Sequence, residues 1–274
     1  MSRTAVITIV HGRRDHLLLQ RRALDRAGER PHLHIVVAMD DEDLVRSTAP
    51  ELEGVHVVSL GSTDHGLPLA RARNLGAATA RALGADVLAF LDVDCVPGQG
   101  AVAAYARAAA DPELADRLLC GPVTYLTPAP DGGYDLDRLE EADAPHPARP
   151  APAPGEVSLG GAHELFWSLS FALTVPTWSR LGGFSEEYVG YGGEDTDFAY
   201  RARDAGVELA WIGSARAYHQ HHPVSSPPFE HLDEIIRNAT IFHRVWGTWP
   251  MTGWLDRFEE LGLVVRSEAG LFRA

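Results

Sequence analysis

Three short segments bring together residue types that can do chemistry jointly. Asp92-Val93-Asp94 follows the apolar run Val87–Leu91 and precedes Pro97. Two carboxylates flanking one residue at the carboxyl end of a strand can hold a divalent cation, which would neutralise a departing diphosphate. Such triplets recur by chance in loops. The position after a buried strand, where α/β sheets keep their ligands, makes this one a candidate. The second segment is Gly190-Tyr191-Gly192-Gly193-Glu194-Asp195-Thr196-Asp197. Its glycines let a backbone approach a ligand closely, and its carboxylates open a helix. A plain helix N-terminus accounts for Asp195 or Thr196 through capping and the helix dipole, but not for three glycines around a tyrosine. The same dipole should keep Asp195 ionised with a low pKa, able to take a proton from an attacking hydroxyl late in bond formation. The third segment is Tyr218-His219-Gln220-His221-His222-Pro223. Clustered imidazoles after a short strand suggest a metal ligand without choosing among them.

Groups like these need a frame. Strand patterns at residues 5–10, 34–38, 55–60 and 86–91 alternate with helical spacing at 16–27 and 69–83. Continuous apolar runs between helices predict parallel strands buried on both faces, hence a doubly wound α/β sheet. Residues 127–157 are rich in Pro, Ala, Asp and Glu and read as a long loop, partly extended and mobile, either a lid or an ornament. Beyond it lie an apolar stretch at 166–174, a helix at 194–205 stopped by Gly206, a strand at 209–212 and helical spacing at 231–246. The expected organisation is a single main domain over 1–223 with a helical extension over 224–274 packed on it. Trp246, Trp249 and Trp254 are expected to pack on the core; an acceptor groove or a homodimer face are the alternatives.

Composition narrows the function classes. A chain of 274 residues with 45% hydrophobic residues can bury a full core. A net charge of -14 argues against nucleic-acid binding. All 24 of the Lys and Arg residues are arginines, which reads as base-composition bias. Two cysteines, Cys95 and Cys120, make neither a disulfide framework nor a zinc site. No apolar run approaches the ~20 residues of a membrane span, and residues 4–10 read as a strand rather than a leader. A cytoplasmic protein is expected, with peripheral membrane contact as a variant. The loop after the first strand lacks the G-x-G-x-x-G of nicotinamide enzymes and is too poor in glycine for a sugar-nucleotide pyrophosphorylase.

Together the motifs resemble the GT-A glycosyltransferases over residues 4–223. The N-terminal half is similar to family 2, and the C-terminal half to the β-1,4-galactosyltransferase or chondroitin-polymerase type. The resemblance implies a GT-A, Rossmann-like fold with a mostly parallel sheet flanked by helices. It implies a nucleotide-sugar donor, a UDP-sugar being favoured, a carbohydrate or other hydroxyl acceptor, and Mn2+ or Mg2+ as cofactor. It sets His11 and Arg13, after the first strand, and Asp40 and Asp41, after the second, against the nucleotide. Arg73 and Asn74 would lie near the donor. Asp92-Val93-Asp94 matches the metal-binding D-x-D motif, with Asp94 the direct ligand and Asp92 facing ribose or sugar. Asp195 matches the general base, and Glu194 an acceptor contact alongside Tyr191, Gly192 and Gly193. Tyr191 stands where galactosyltransferases carry tryptophan, so its ring would stack on an acceptor sugar. His219 is the favoured metal histidine, with His221 next. The implied reaction is one in-line displacement with inversion. The rival function is a non-catalytic sugar- or nucleotide-binding scaffold of the same fold.

Overall fold

The computed structural model describes residues 2–48, 50–267 and 270–274. The first half alternates β1 (Thr4–Val10), α1 (Arg14–Arg26), β2 (Leu33–Met39), α2 (Glu42–Thr48), β3 (His56–Leu60), α3 (Leu69–Ala82) and β4 (Val87–Leu91). There follow β5 (Cys95–Pro97), α4 (Ala101–Ala110), β6 (Leu118–Cys120), β7 (Val123–Tyr125), β8 (Val157–Leu159), β9 (Ser170–Thr174), α5 (Val175–Leu181), α6 (Glu194–Asp204), β10 (Leu209–Ile212) and β11 (Ala217–His219). The chain continues through α7 (Leu232–Trp246), α8 (Thr252–Glu260) and the hairpin β12 (Val264–Ser267) and β13 (Gly270–Arg273).

The main sheet has eight strands in the order β3-β2-β1-β4-β9-β6-β10-β8. Neighbouring pairs run parallel except where β9 meets β4 and β6 and where β8 meets β10. The mostly parallel α/β sheet expected from the apolar runs is therefore present. The reversed strand β9 was not legible, because an apolar run carries no direction. A second sheet, β5-β11-β7, stands at the end of β4. The alanine-rich helix α4 and the short strands of this sheet were too weakly patterned to predict.

Every side chain of β4 is buried, and so is every one of β1. On one face Ile7, Ile35, Val37 and Phe90 meet alanines of α3 and the rings of Phe171, Trp178, Phe184 and Phe198. Burying each such phenylalanine contributes roughly 1.5–3 kcal/mol. Helix α3 lies very close to the sheet: a Cβ on Gly76 would come 2.4 Å from Ile7 Cγ2 and 3.3 Å from Val37 Cγ2. This contact sets the height at which α3 carries Arg73 over the sheet.

Residues 127–157 form few regular elements but are tied down. Arg149 is 6% exposed and lies 5.1 Å over the Trp167 ring and 5.0 Å over the Trp211 ring. Asp143 accepts from Thr124 Oγ1 at 3.0 Å and pairs with Arg216 at 2.9 Å. The segment that composition marked as mobile is thus anchored by packing that composition does not encode. Residues 224–274 differ from the expected helical extension by the β12–β13 hairpin, which closes an apolar cluster of Ile235, Leu255, Phe258, Val264 and Leu271. No helix of the described residues is long and apolar enough to cross a membrane.

Gly76→Ala should lower stability by about 1–3 kcal/mol through overpacking, even though alanine is the better helix former. Thermal unfolding checks this; an equal or higher Tm would show that the Ile7 contact does not set the helix height.

Candidate active site

Strand β4 ends in the Asp92-Val93-Asp94 loop, which is held from below. Gln20 of α1, fully buried, donates through Nε2 to the carbonyls of Asp92 and Cys95, both at 2.8 Å, and accepts from Thr8 Oγ1 at 2.7 Å. Antiparallel pairing sets His219 of β11 opposite Cys95 of β5, and the Gln220 amide donates to the Asp94 carbonyl at 2.7 Å. This register brings His219 Nε2 and His222 Nε2 each to 3.4 Å from Asp94 Oδ2. Candidate ligand atoms of Asp94, His219 and His222 all lie within 4.8 Å of one another. Asp94 Oδ1 is buried without a hydrogen-bond partner among the described residues. Atoms so spaced fit one ion bound at roughly 2.0–2.2 Å, and an orphaned carboxylate oxygen is the kind of group a cation satisfies.

Arg13 NH1 also reaches Asp94 Oδ2, at 2.6 Å. Gly12 and Arg13 both take left-handed backbone, with φ of 61° and 51°. An arginine held there is strained, a feature that concentrates at functional sites. Burial pushes the Asp94 carboxyl up, but the His222 hydrogen bond and the charges of His219 and Arg13 outweigh it and hold it below its ordinary range. Burial lowers the His219 pKa, favouring the neutral imidazole that binds metals.

A second grouping surrounds Arg73, which is 4% exposed. Its guanidinium donates to Asp92 Oδ1 and to Glu194 Oε1, both at 3.0 Å. Glu194 opens α6 after the glycine run, and its Oε2 is buried with no partner among the described residues. Burial raises Glu194, the Asp195 charge adds to this, Arg73 opposes both, and the carboxyl titrates at about 7. Burial likewise raises Asp92 to about 6 against the pull of Arg73. The low pKa expected of Asp195 is not found. The helix N-terminus does engage it, through the Thr196 amide at 2.7 Å, but burial prevails and raises its pKa.

The other sequence candidates fall into place unevenly. His11 donates through Nδ1 to the Met39 carbonyl at 2.7 Å, joining the loops after β1 and β2. Asp41 accepts from the Gly12 amide at 2.6 Å and caps α2 through the Leu44 amide. Asp40 has φ 49° and accepts from Ser62 Oγ at 2.9 Å. Asn74 is turned away from the Asp92 loop. Its side-chain amide exchanges hydrogen bonds with the Phe184 backbone and donates to Glu186. His221 does not join the cluster; its side chain is exposed and its amide is held by Tyr134 Oη. His222 takes that place, since the turn after β11 returns to Asp94 three residues on, a spacing that was open to inspection. Tyr191 is stacked on His231 at 4.6 Å and on Trp254 at 5.8 Å. Gly192 and Gly193 take φ of 91° and 89°, and a Cβ on Gly192 would meet Met251 Sδ at 2.7 Å. Gln20, Glu234 and His231 carried no local signal of a role, whereas Trp249 and Trp254 lie, as expected, against the apolar cluster of α7 and α8.

Solved structures share this architecture. GalNAc-T7, solved with UDP, GalNAc and Mn2+, superposes with a TM-score of 0.57 at 16% identity, over 95% of this chain and 54% of that one. Residues 1–349 of TarS from S. aureus superpose with a TM-score of 0.58 at 12% identity, over 94% of this chain and 72% of that one. The fold is the GT-A fold of glycosyltransferases. Within this GT-A chain, residues 162–223 match the family described as the N-terminal domain of galactosyltransferase. They run from before β9 through α6 to the histidine cluster. Two validoxylamine A glucosyltransferases, from Streptomyces hygroscopicus subsp. jinggangensis (strain 5008) and subsp. limoneus, are each 31% identical over 199 residues, or 64% of this chain. The GT-A chain spans 45% and 42% of the length of these curated relatives.

Between the ordinary 4.5 and about 7, the folded protein holds a proton on Glu194 that the unfolded chain has released. The contribution of this group to stability therefore falls as pH rises through this window, and the cost persists above it. In chelator-treated protein Glu194→Gln should shift the slope of Tm against pH between those limits in the positive direction, on a background set by Asp92 and Asp195 and, with the opposite sign, by His34 and His219, whose pKa values burial lowers. A slope as steep as the wild type's would assign the titration to other groups.

Proposed function

We propose that the chain is a metal-dependent, inverting glycosyltransferase that moves a sugar from a nucleotide-diphosphate donor, a UDP-sugar, to an acceptor hydroxyl. The observation that carries this is the convergence of two groupings at the end of β4: Asp94 with His219 and His222, and Asp92, Glu194 and Asp195 around Arg73. The curated relatives are named as glucosyltransferases, and a structural neighbour was solved with UDP, a sugar and Mn2+, which supports the donor class. On this reading residues 1–223 form the donor-binding and catalytic unit, and 224–274 an appended segment.

Asp94, His219 and His222 would hold the ion. One carboxylate with two imidazoles suits Mn2+ better than Mg2+, which keeps all-oxygen shells. When bound, it supplies positive charge to the diphosphate leaving group. His11, Arg13, Asp40 and Asp41 stand together at the carboxyl ends of β1 and β2, where they would meet the nucleotide. Asp195 accepts the acceptor's proton. Its raised pKa makes it a stronger base than an ordinary aspartate, and its hydrogen bonds to Thr196 fix the carboxylate. Arg73 holds Asp92 and Glu194 in place, and Glu194 Oε2 is left to receive a sugar hydroxyl. Proton removal by Asp195, with no second carboxylate assigned as nucleophile, gives a single displacement and inversion.

Asp195→Asn should lower kcat by roughly 10²–10⁴-fold while Mn2+-dependent stabilisation by UDP persists in thermal unfolding. Unchanged kcat would remove Asp195 as base. UDP–Mn2+ binding without turnover of any donor by the wild type would favour the non-catalytic scaffold. His222→Ala should weaken Mn2+ binding at least about 10-fold by titration calorimetry, with His221→Ala close to wild type. The reverse order would move the ligand to His221.

A further inference from the structure

The two imidazoles beside Asp94 are oriented by different means. His222 donates through Nδ1 to the Pro223 carbonyl at 3.3 Å, which sets the ring with Nε2 on the side of Asp94. A ligating histidine is ordinarily held in this way, its second nitrogen donating to a carbonyl, a carboxylate or water. His219 has no such bond within the protein. Its Nε2 faces Asp94 Oδ2 at 3.4 Å, and its Nδ1 has no protein partner among the described residues. The χ2 torsion of histidine has broad wells, so only packing fixes this ring.

The packing comes from Tyr125. Pairing of β7 with β11 sets Tyr125 level with His219. The two rings stack with centroids 4.7 Å apart and 30° between planes. The Tyr125 hydroxyl has no hydrogen-bond partner among the described residues, so the ring face is what it contributes.

Tyr125 is itself braced by the segment 127–157. Pro145 bridges Thr124, and the His146 amide donates to the Val123 carbonyl at 3.1 Å. The segment therefore runs beside β7. The His146 ring meets Tyr125 edge-on, at 5.9 Å and 67°, and meets Trp167 edge-on, at 4.9 Å and 72°. Arg149, three residues on, covers the Trp167 ring from 5.1 Å. Ring contacts thus run without a break from Arg149 to His219.

We propose that Tyr125 is the positioning residue of His219: its ring, braced by His146, does what a hydrogen bond on Nδ1 would do and holds the imidazole plane in which Nε2 faces Asp94. This gives the segment 127–157 a task at the cation site. The proposal rests on the metal-binding reading of Asp94, His219 and His222.

Titration calorimetry with Mn2+ tests it. Tyr125 is 46% exposed, so its substitution should leave the core intact, and equal melting points of the metal-free proteins check this. Tyr125→Leu should weaken Mn2+ binding about 10-fold, the lower end of the loss seen when a ligating histidine loses its orienting partner. Tyr125→Phe should bind as the wild type does, because it keeps the ring. His146→Ala should fall between wild type and Tyr125→Leu. With Co2+ as the probe, the visible absorption bands report ligand geometry; Tyr125→Leu should shift them and Tyr125→Phe should not. An equal loss in Tyr125→Phe, or wild-type affinity and bands in Tyr125→Leu, overturns the role of Tyr125 alone. Wild-type affinity in His146→Ala overturns the brace. No Mn2+ binding by the wild type overturns the metal site, and this role with it.

Discussion

One buried guanidinium holds the two halves of the site together. Arg73 comes from α3, Asp92 from the loop after β4, and Glu194 and Asp195 from the first turn of α6. Three carboxylates in a buried space repel one another, and each resists ionisation there. A single planar cation with two hydrogen-bonding edges makes the arrangement tenable. Its compensation is incomplete, and the raised pKa values of Asp92, Glu194 and Asp195 record that shortfall. A buried cation lost from such a cluster leaves charges with no partner, which is far more destabilising than the pair itself is stabilising. The tight seat of α3 on β1, at Gly76, keeps Arg73 where all three can be served.

The histidine side of the site depends on a different interaction, backbone pairing. Asp94 and His219 are 125 residues apart in sequence and become neighbours because β5 and β11 share a ladder. Gln20 fixes the other side of the same loop from inside the core. A carboxylate and two imidazoles thus converge without depending on long flexible side chains, the pre-arrangement that a candidate cation site needs.

The segments least like the rest of the chain close the site's surroundings. Residues 127–157 are stapled by Arg149 between two tryptophans and by Tyr134, which holds the His221 amide and so shapes the turn bearing His222. Helix α7 carries the glycine run through Glu234 and Asn238. Neither connection has a sequence signature, because each joins residues far apart through side chains of ordinary type.

By itself the sequence determined the elements and their class. Period and apolar continuity marked β1, β2, β4, α3, α6 and α7 because burial on both faces, or on one helical stripe, forces those patterns on a chain, whereas β3, also expected as a buried strand, stands at the sheet edge and is partly exposed. It also singled out the D-x-D triplet, the glycine run and the histidines, because each places residue types of like chemistry side by side within one short segment. Only the tertiary structure decided which of them meet. It grouped His222 rather than His221 with Asp94 and His219 through the return of one turn, gave Asn74 to the Phe184 loop, and raised the pKa of Asp195 where a low one was expected. It also brought His231 and Trp254 to Tyr191. The physical reason is common to all four: burial and contact between distant segments set which side chains meet, their pKa and their stacking, and local residue order does not specify these.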